Sequence, residues 1–90
     1  MNKENFDFLK ELTECFGPSG AEDAVRDLII NRIKPYVSSL KVDSLGNLIA
    51  VKGSGGNLVL SAHMDEVGMM ISDIDSDGYL RFECLGGIDE

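Results

Sequence analysis

Near residue 40 the apolar spacing of this chain changes from helical to extended, which restricts it to a mixed α/β fold. Before that point Phe6, Leu9, Leu12, Thr13 and Phe16 fall close to helical spacing. Gly17-Pro18 closes this helix with a permissive residue followed by one that lacks an amide donor. Ser19-Gly20-Ala21-Glu22 then has the Ser-x-x-Glu form of a capping box and predicts a second helix. Val25, Leu28, Ile29, Ile33 and Val37 carry its apolar stripe, and Pro35 weakens its end. Glu22 and Asp23 in its first turn suit the helix dipole, and that structural role is sufficient for them.

From Leu40 onward the pattern is of strands: Leu40-Lys41-Val42, Asn47-Leu48-Ile49-Ala50-Val51 and Leu58-Val59-Leu60, giving an ααβββ order. Asp43-Ser44-Leu45-Gly46-Asn47 reads as a hairpin connection in which Gly46 or Asn47 takes a positive φ. Lys52-Gly53-Ser54-Gly55-Gly56 reads as a surface loop. It does not read as a phosphate cradle, because no helix follows whose amides could hold the anion. The triplet Leu58-Val59-Leu60, preceded by Gly55-Gly56-Asn57, suggests a strand covered on both faces.

That triplet leads through Ser61-Ala62 to His63, the only histidine of the chain, with Asp65 two residues later. Ligand groups in open α/β sheets lie where such strands end, so His63 is a candidate metal ligand at the rim of a cleft. Asp65 can return to the far ring nitrogen and fix the tautomer. On spacing alone, His-x-Asp is more often a satisfied side-chain pair than a metal site. A zinc centre also needs three or four protein ligands, which one histidine cannot supply.

Asp73-Ile74-Asp75-Ser76-Asp77-Gly78 matches the opening of a calcium loop, yet its twelfth position is Cys84 rather than a bidentate glutamate. Met69-Met70-Ile71 and Tyr79-Leu80-Arg81-Phe82 look like strands, so an acidic β-hairpin is the better reading. Cys15 and Cys84 form no Cys-x-x-Cys pair and read as buried or half-buried thiols in a reducing compartment. A net charge of -8 leaves no basic face for nucleic acid or an anionic membrane surface. Apolar runs too short to span a bilayer and an amino terminus without signal-peptide character lead to the expectation of a cytoplasmic protein.

Four motifs in order carry a resemblance: Gly17-Pro18-Ser19-Gly20-Ala21-Glu22, Val42-Asp43-Ser44-Leu45-Gly46-Asn47, Ser61-Ala62-His63-Met64-Asp65-Glu66-Val67-Gly68 and Leu85-Gly86-Gly87-Ile88-Asp89. Together they resemble the start of an M42-family metallo-aminopeptidase, the group of glutamyl and deblocking aminopeptidases, some of which carry an endoglucanase label. The resemblance implies a zinc-exopeptidase-like mixed-sheet domain over residues 1–66. It also implies that residues 67–90 are the opening strands of an inserted β domain used for oligomer assembly. It further implies two divalent metal ions, zinc or cobalt, with His63 as a metal ligand and Asp65 as the catalytic-site carboxylate that supports it. Peptide substrates and a homo-oligomer follow on the same ground.

The family's bridging aspartate, its glutamate pair with the general base, a further acidic ligand and a second histidine have no counterpart in this sequence. The expectation is therefore an amino-terminal fragment of such an enzyme, inactive alone. Two other readings stand beside it. One is a non-catalytic, truncated paralogue acting as a protein-interaction module. The other is an endoglucanase-type glycosidase, disfavoured because aromatic residues are 7% of the chain and tryptophan is absent, leaving little to line a sugar groove.

Overall fold

The computed structural model describes residues 1–56 and 58–88. Asn57, before the apolar triplet, and Asp89 and Glu90, at the end of the last motif, lie outside the described residues. Helix α1 spans Lys3–Glu14, with the Asn2 side chain accepting a hydrogen bond from the Asn5 amide at its start. It ends before Gly17-Pro18, as the sequence predicts. Helix α2 spans Asp23–Ile33 and runs into a short 3₁₀ turn, Lys34–Tyr36, where Pro35 stands at the start of the turn and tightens the end of the helix.

The capping box of the sequence reading is not formed. The helix begins at Asp23, so Ser19 stands outside it, and Glu22 occupies the capping position without a side-chain cap. Glu22 Oε1 instead accepts from the Gly20 amide at 2.7 Å. Gly20, at φ 88, turns the chain before the helix begins. The two helices are joined by Arg32, which pairs with Glu4 at 2.9 Å and lies 4.9 Å from the centroid of the Phe8 ring. At such an exposed site the cation–π contact is worth roughly 0.5–1 kcal/mol.

Strands β1 (Ser39–Val42) and β2 (Leu48–Val51) form an antiparallel hairpin. Its turn is held by Asp43, whose Oδ1 accepts from the amides of Leu45 and Asn47 and whose Oδ2 accepts from Asn47 Nδ2. Gly46 takes the positive φ, 88°. Arg26 of α2 donates to the Gly46 carbonyl at 3.0 Å and ties helix to hairpin. Strands β3 (Gly68–Ile74) and β4 (Leu80–Leu85) form a second antiparallel pair, with a bulge between Ile71 and Asp73.

The third strand of the expected ααβββ order is absent. Leu58, Val59 and Leu60 are in no ladder and are 84%, 84% and 88% exposed. An extended segment becomes a strand only when a neighbour takes up its amides and carbonyls, and none among the described residues does so. The fold is thus mixed α/β, with two separate two-stranded sheets among the described residues. Val25 is the apolar side chain of the core among the described residues, and it packs beside the buried pair Gly17-Pro18. Among the described residues no helix is long and apolar enough to cross a membrane.

Candidate functional site

The loop between the helices meets the segment after His63. Gly17 accepts a hydrogen bond from the Glu66 amide at 2.9 Å, and its own amide donates to Glu66 Oε1 at 3.1 Å. Pro18 pairs with Glu66 as a single parallel bridge. Both glycines at this crossing are required by space: a Cβ on Gly17 would run into Val25 Cγ2, and one on Gly68 would lie 2.8 Å from Pro18 Cβ. The chain is therefore held at Glu66–Gly68, directly after His63 and Asp65.

His63 and Asp65 come together as their spacing predicts. His63 Nδ1 lies 3.1 Å from Asp65 Oδ1 and 3.2 Å from the Asp65 carbonyl oxygen. Both neighbours are acceptors, so the neutral ring carries its proton on Nδ1, and the lone pair of Nε2 is free to face outward. The His63 side chain is 86% exposed, and that of Asp65 is half-buried at 42%. An imidazole held in this way can donate its Nε2 lone pair to a divalent cation.

Among the described residues no three His, Cys, Asp or Glu side chains gather as a metal site. His63 with Asp65 behind it fits one corner of a metal centre and no more. Leu58–Leu60 do not form the buried strand expected to deliver His63 to a cleft; they border a broad open groove between α2, β2 and residues 58–65.

The acidic run Asp73–Gly78 is a hairpin turn, as expected. Asp75 Oδ1 accepts from the amides of Asp77 and Tyr79, and Gly78 takes φ 85. Cys15 is half-buried, as expected, whereas Cys84 is exposed on a hairpin without a covering layer. The sequence reading missed the double hydrogen bond between Glu66 and Gly17. Nothing local marks that contact, because its two residues stand 49 positions apart.

The mixed α/β fold and the His63–Asp65 pair do not by themselves name a protein class; comparison with known proteins makes the family definite. Residues 46–90 match the sequence profile of the M42 glutamyl aminopeptidases, and the chain belongs to that family. It is 41% identical over 86 residues to a lysyl aminopeptidase of Pyrococcus furiosus, covering 93% of this chain and 25% of that protein.

Two solved structures share the fold. The TET1 peptidase of Pyrococcus horikoshii, which can assemble into a tetrahedron or a large octahedral shell, matches with TM-score 0.83 and 45% identity. That match covers 93% of this chain and 26% of the other. A Thermotoga maritima protein described as an endoglucanase matches with TM-score 0.81 and 48% identity, over 90% of this chain and 27% of that one. The chain spans about a quarter of the length of the proteins that it matches.

Proposed function

We propose that this chain forms the amino-terminal part of a dinuclear metal-dependent aminopeptidase that removes amino-terminal residues from peptides. The observation that carries the proposal is the His63–Asp65 geometry: Nδ1 is engaged by two acceptors, which leaves Nε2 as a ligand. Residues 1–66 would belong to the catalytic domain, and residues 67–90 would open an inserted β domain serving homo-oligomer assembly. The assembled relatives support the oligomer, since the Pyrococcus horikoshii structure forms closed shells.

His63 would hold one of two divalent ions, zinc or cobalt, and Asp65 would fix the ring behind it. When bound, such a pair of ions makes a bridging water nucleophilic near neutral pH and polarises a carbonyl. The general base and the remaining ligands would come from outside these ninety residues, so the chain alone is expected to be inactive.

The test is an assay of a chain of its relatives' length on aminoacyl anilides and short peptides, with and without a chelator. Metal-dependent release of amino-terminal residues, lost on amino-terminal acetylation, supports the proposal. Cleavage of soluble cellulose without peptide hydrolysis would favour the endoglucanase reading, which the name of the Thermotoga maritima protein suggests. Absence of any hydrolysis in the long chain would favour a non-catalytic interaction module. Turnover by the purified ninety-residue chain, abolished in His63→Ala, would show that the missing groups are not needed.

A further inference from the structure

The segment bearing His63 and Asp65 is tethered on one side only. Upstream, Leu58–Ala62 is exposed and joins no ladder among the described residues. Downstream, the next residue after Asp65 closes a ring with Gly17: the Glu66 amide donates to the Gly17 carbonyl, and the Glu66 carboxylate takes the Gly17 amide. Gly17 is buried and cannot carry a side chain without displacing Val25, so the anchor is set against the buried Val25 side chain.

We propose that Glu66 is a positioning residue, whose side chain clasps the loop between the helices and thereby holds Asp65 where it fixes the His63 ring. This deepens the metal-ligand reading of His63 and rests on it for its consequence, though not for its geometry.

The physical argument concerns the Asp65 acceptors. His63 Nδ1 faces both the carbonyl and the carboxylate of Asp65, so the backbone at Asp65 must keep one orientation. That carbonyl belongs to the peptide unit whose nitrogen is Glu66 N. The same peptide unit therefore presents its N–H to Gly17 and its C=O to His63. The two groups point in opposite directions from one rigid plane, so fixing the first fixes the second. The Glu66 carboxylate adds a second hydrogen bond to the same glycine and prevents the unit from pivoting about the first.

Glu66 acts in this scheme as a hydrogen-bond acceptor, not as a charge. Glu66→Gln keeps an acceptor oxygen at the same reach, whereas Glu66→Ala removes it. A group serving as a metal ligand or proton carrier would lose its role in both variants.

The chain has one histidine, so a ¹⁵N-labelled imidazole gives an unambiguous spectrum. At alkaline pH, where the ring is neutral, the ninety-residue chain should show His63 protonated at Nδ1. Glu66→Gln should keep that pattern, and Glu66→Ala should shift the majority to the Nε2-protonated form that free histidine prefers. Amide exchange in the unmodified chain gives a second reading without any substitution: the Gly17 and Glu66 N–H groups should be protected relative to Ser61 and Ala62. Unprotected Gly17 and Glu66 amides, an unchanged tautomer in Glu66→Ala, or equal loss in both variants would each overturn the proposal.

Adding cobalt separates this from the metal reading. In a chain of its relatives' length, which would carry the remaining ligands, a held Nδ1 tautomer whose Nε2 resonance ignores cobalt leaves the positioning role standing and removes the metal role. Cobalt contact at Nε2 that is indifferent to Glu66→Ala does the reverse.

Discussion

Gly17 meets Val25, the Met64 carbonyl and Glu66 through a single backbone unit, so a methyl group added there has nowhere to go. Gly17→Ala should destabilise by about 1–3 kcal/mol, the usual cost of overpacking. Val25→Ala removes two methyl groups from the buried contact and should cost about 2 kcal/mol. Because the second change opens the space that the first one needs, the double variant should lose less than the sum. Denaturant titration of the four proteins checks this, and simple additivity would place the two residues apart.

Asp65 belongs to the same scale. In a chain of its relatives' length, Asp65→Asn should lower turnover by roughly ten- to a hundredfold while most of the metal stays bound, the usual cost of losing a partner behind a ligand. His63→Ala should empty one site. Metal content measured beside kinetics separates the two roles, and equal metal loss in both variants would make Asp65 a direct ligand.

At the scale of elements, the β1–β2 hairpin depends on the ionised carboxylate of Asp43. The Asn47 side chain and amide, with the Leu45 amide, donate to it and hold its pKa below the ordinary carboxylate value. The unfolded chain takes up that proton at a higher pH than the folded one does. The contribution to stability is therefore complete above the ordinary carboxylate range and is lost as pH falls through the lowered value. Protection of the Gly46 and Asn47 amides should fade over that acid window, and Asp43→Ala should abolish the dependence. Fading that persists in Asp43→Ala would assign it to another group.

This hairpin was legible in the sequence because its information is local: an aspartate, a glycine able to take positive φ, and alternating residues on either side. The same holds for Asp75 and Gly78, and for the His63–Asp65 pair, whose two-residue spacing returns a side chain to the same face. Leu58–Leu60 misled the reading because an apolar triplet says only that a segment is suited to being covered, and it carries no information on whether a neighbour is present to cover it. The start of α2 misled it differently. Ser-x-x-Glu matches a cap, but the turn at Gly20 places helical geometry three residues later and gives Glu22 another donor. The Glu66–Gly17 contact, spanning 49 positions, has no local signature at all.

The molecule as a whole is open. Its accessible surface is 7639 Å², against roughly 5200 Å² for a compact protein of this mass. The radius of gyration is 17.2 Å, against about 12 Å for a compact chain of this length. Met69, Ile71, Leu80 and Phe82 of the second hairpin are each more than half exposed, as are Leu58, Val59 and Leu60. Apolar surface on that scale, bordering unpaired strand edges, marks faces that pack against other polypeptide.

The net charge of -8 opposes association of like chains, while the apolar faces favour it. These two effects respond oppositely to salt, since screening over a Debye length of about 10 Å at 0.1 M weakens the repulsion and leaves burial intact. The isolated chain should therefore form dimers or larger species whose population rises with ionic strength. Substituting Met69 and Phe82 by serine should reduce this association and leave in place the His63–Asp65 contact, which forms within its own three-residue segment. Sedimentation velocity at low and high salt, with ring ¹⁵N shifts as the local control, tests both halves. A monomer at every salt concentration would mean that these faces cover one another in solution more completely than the extended arrangement of β3 and β4 indicates.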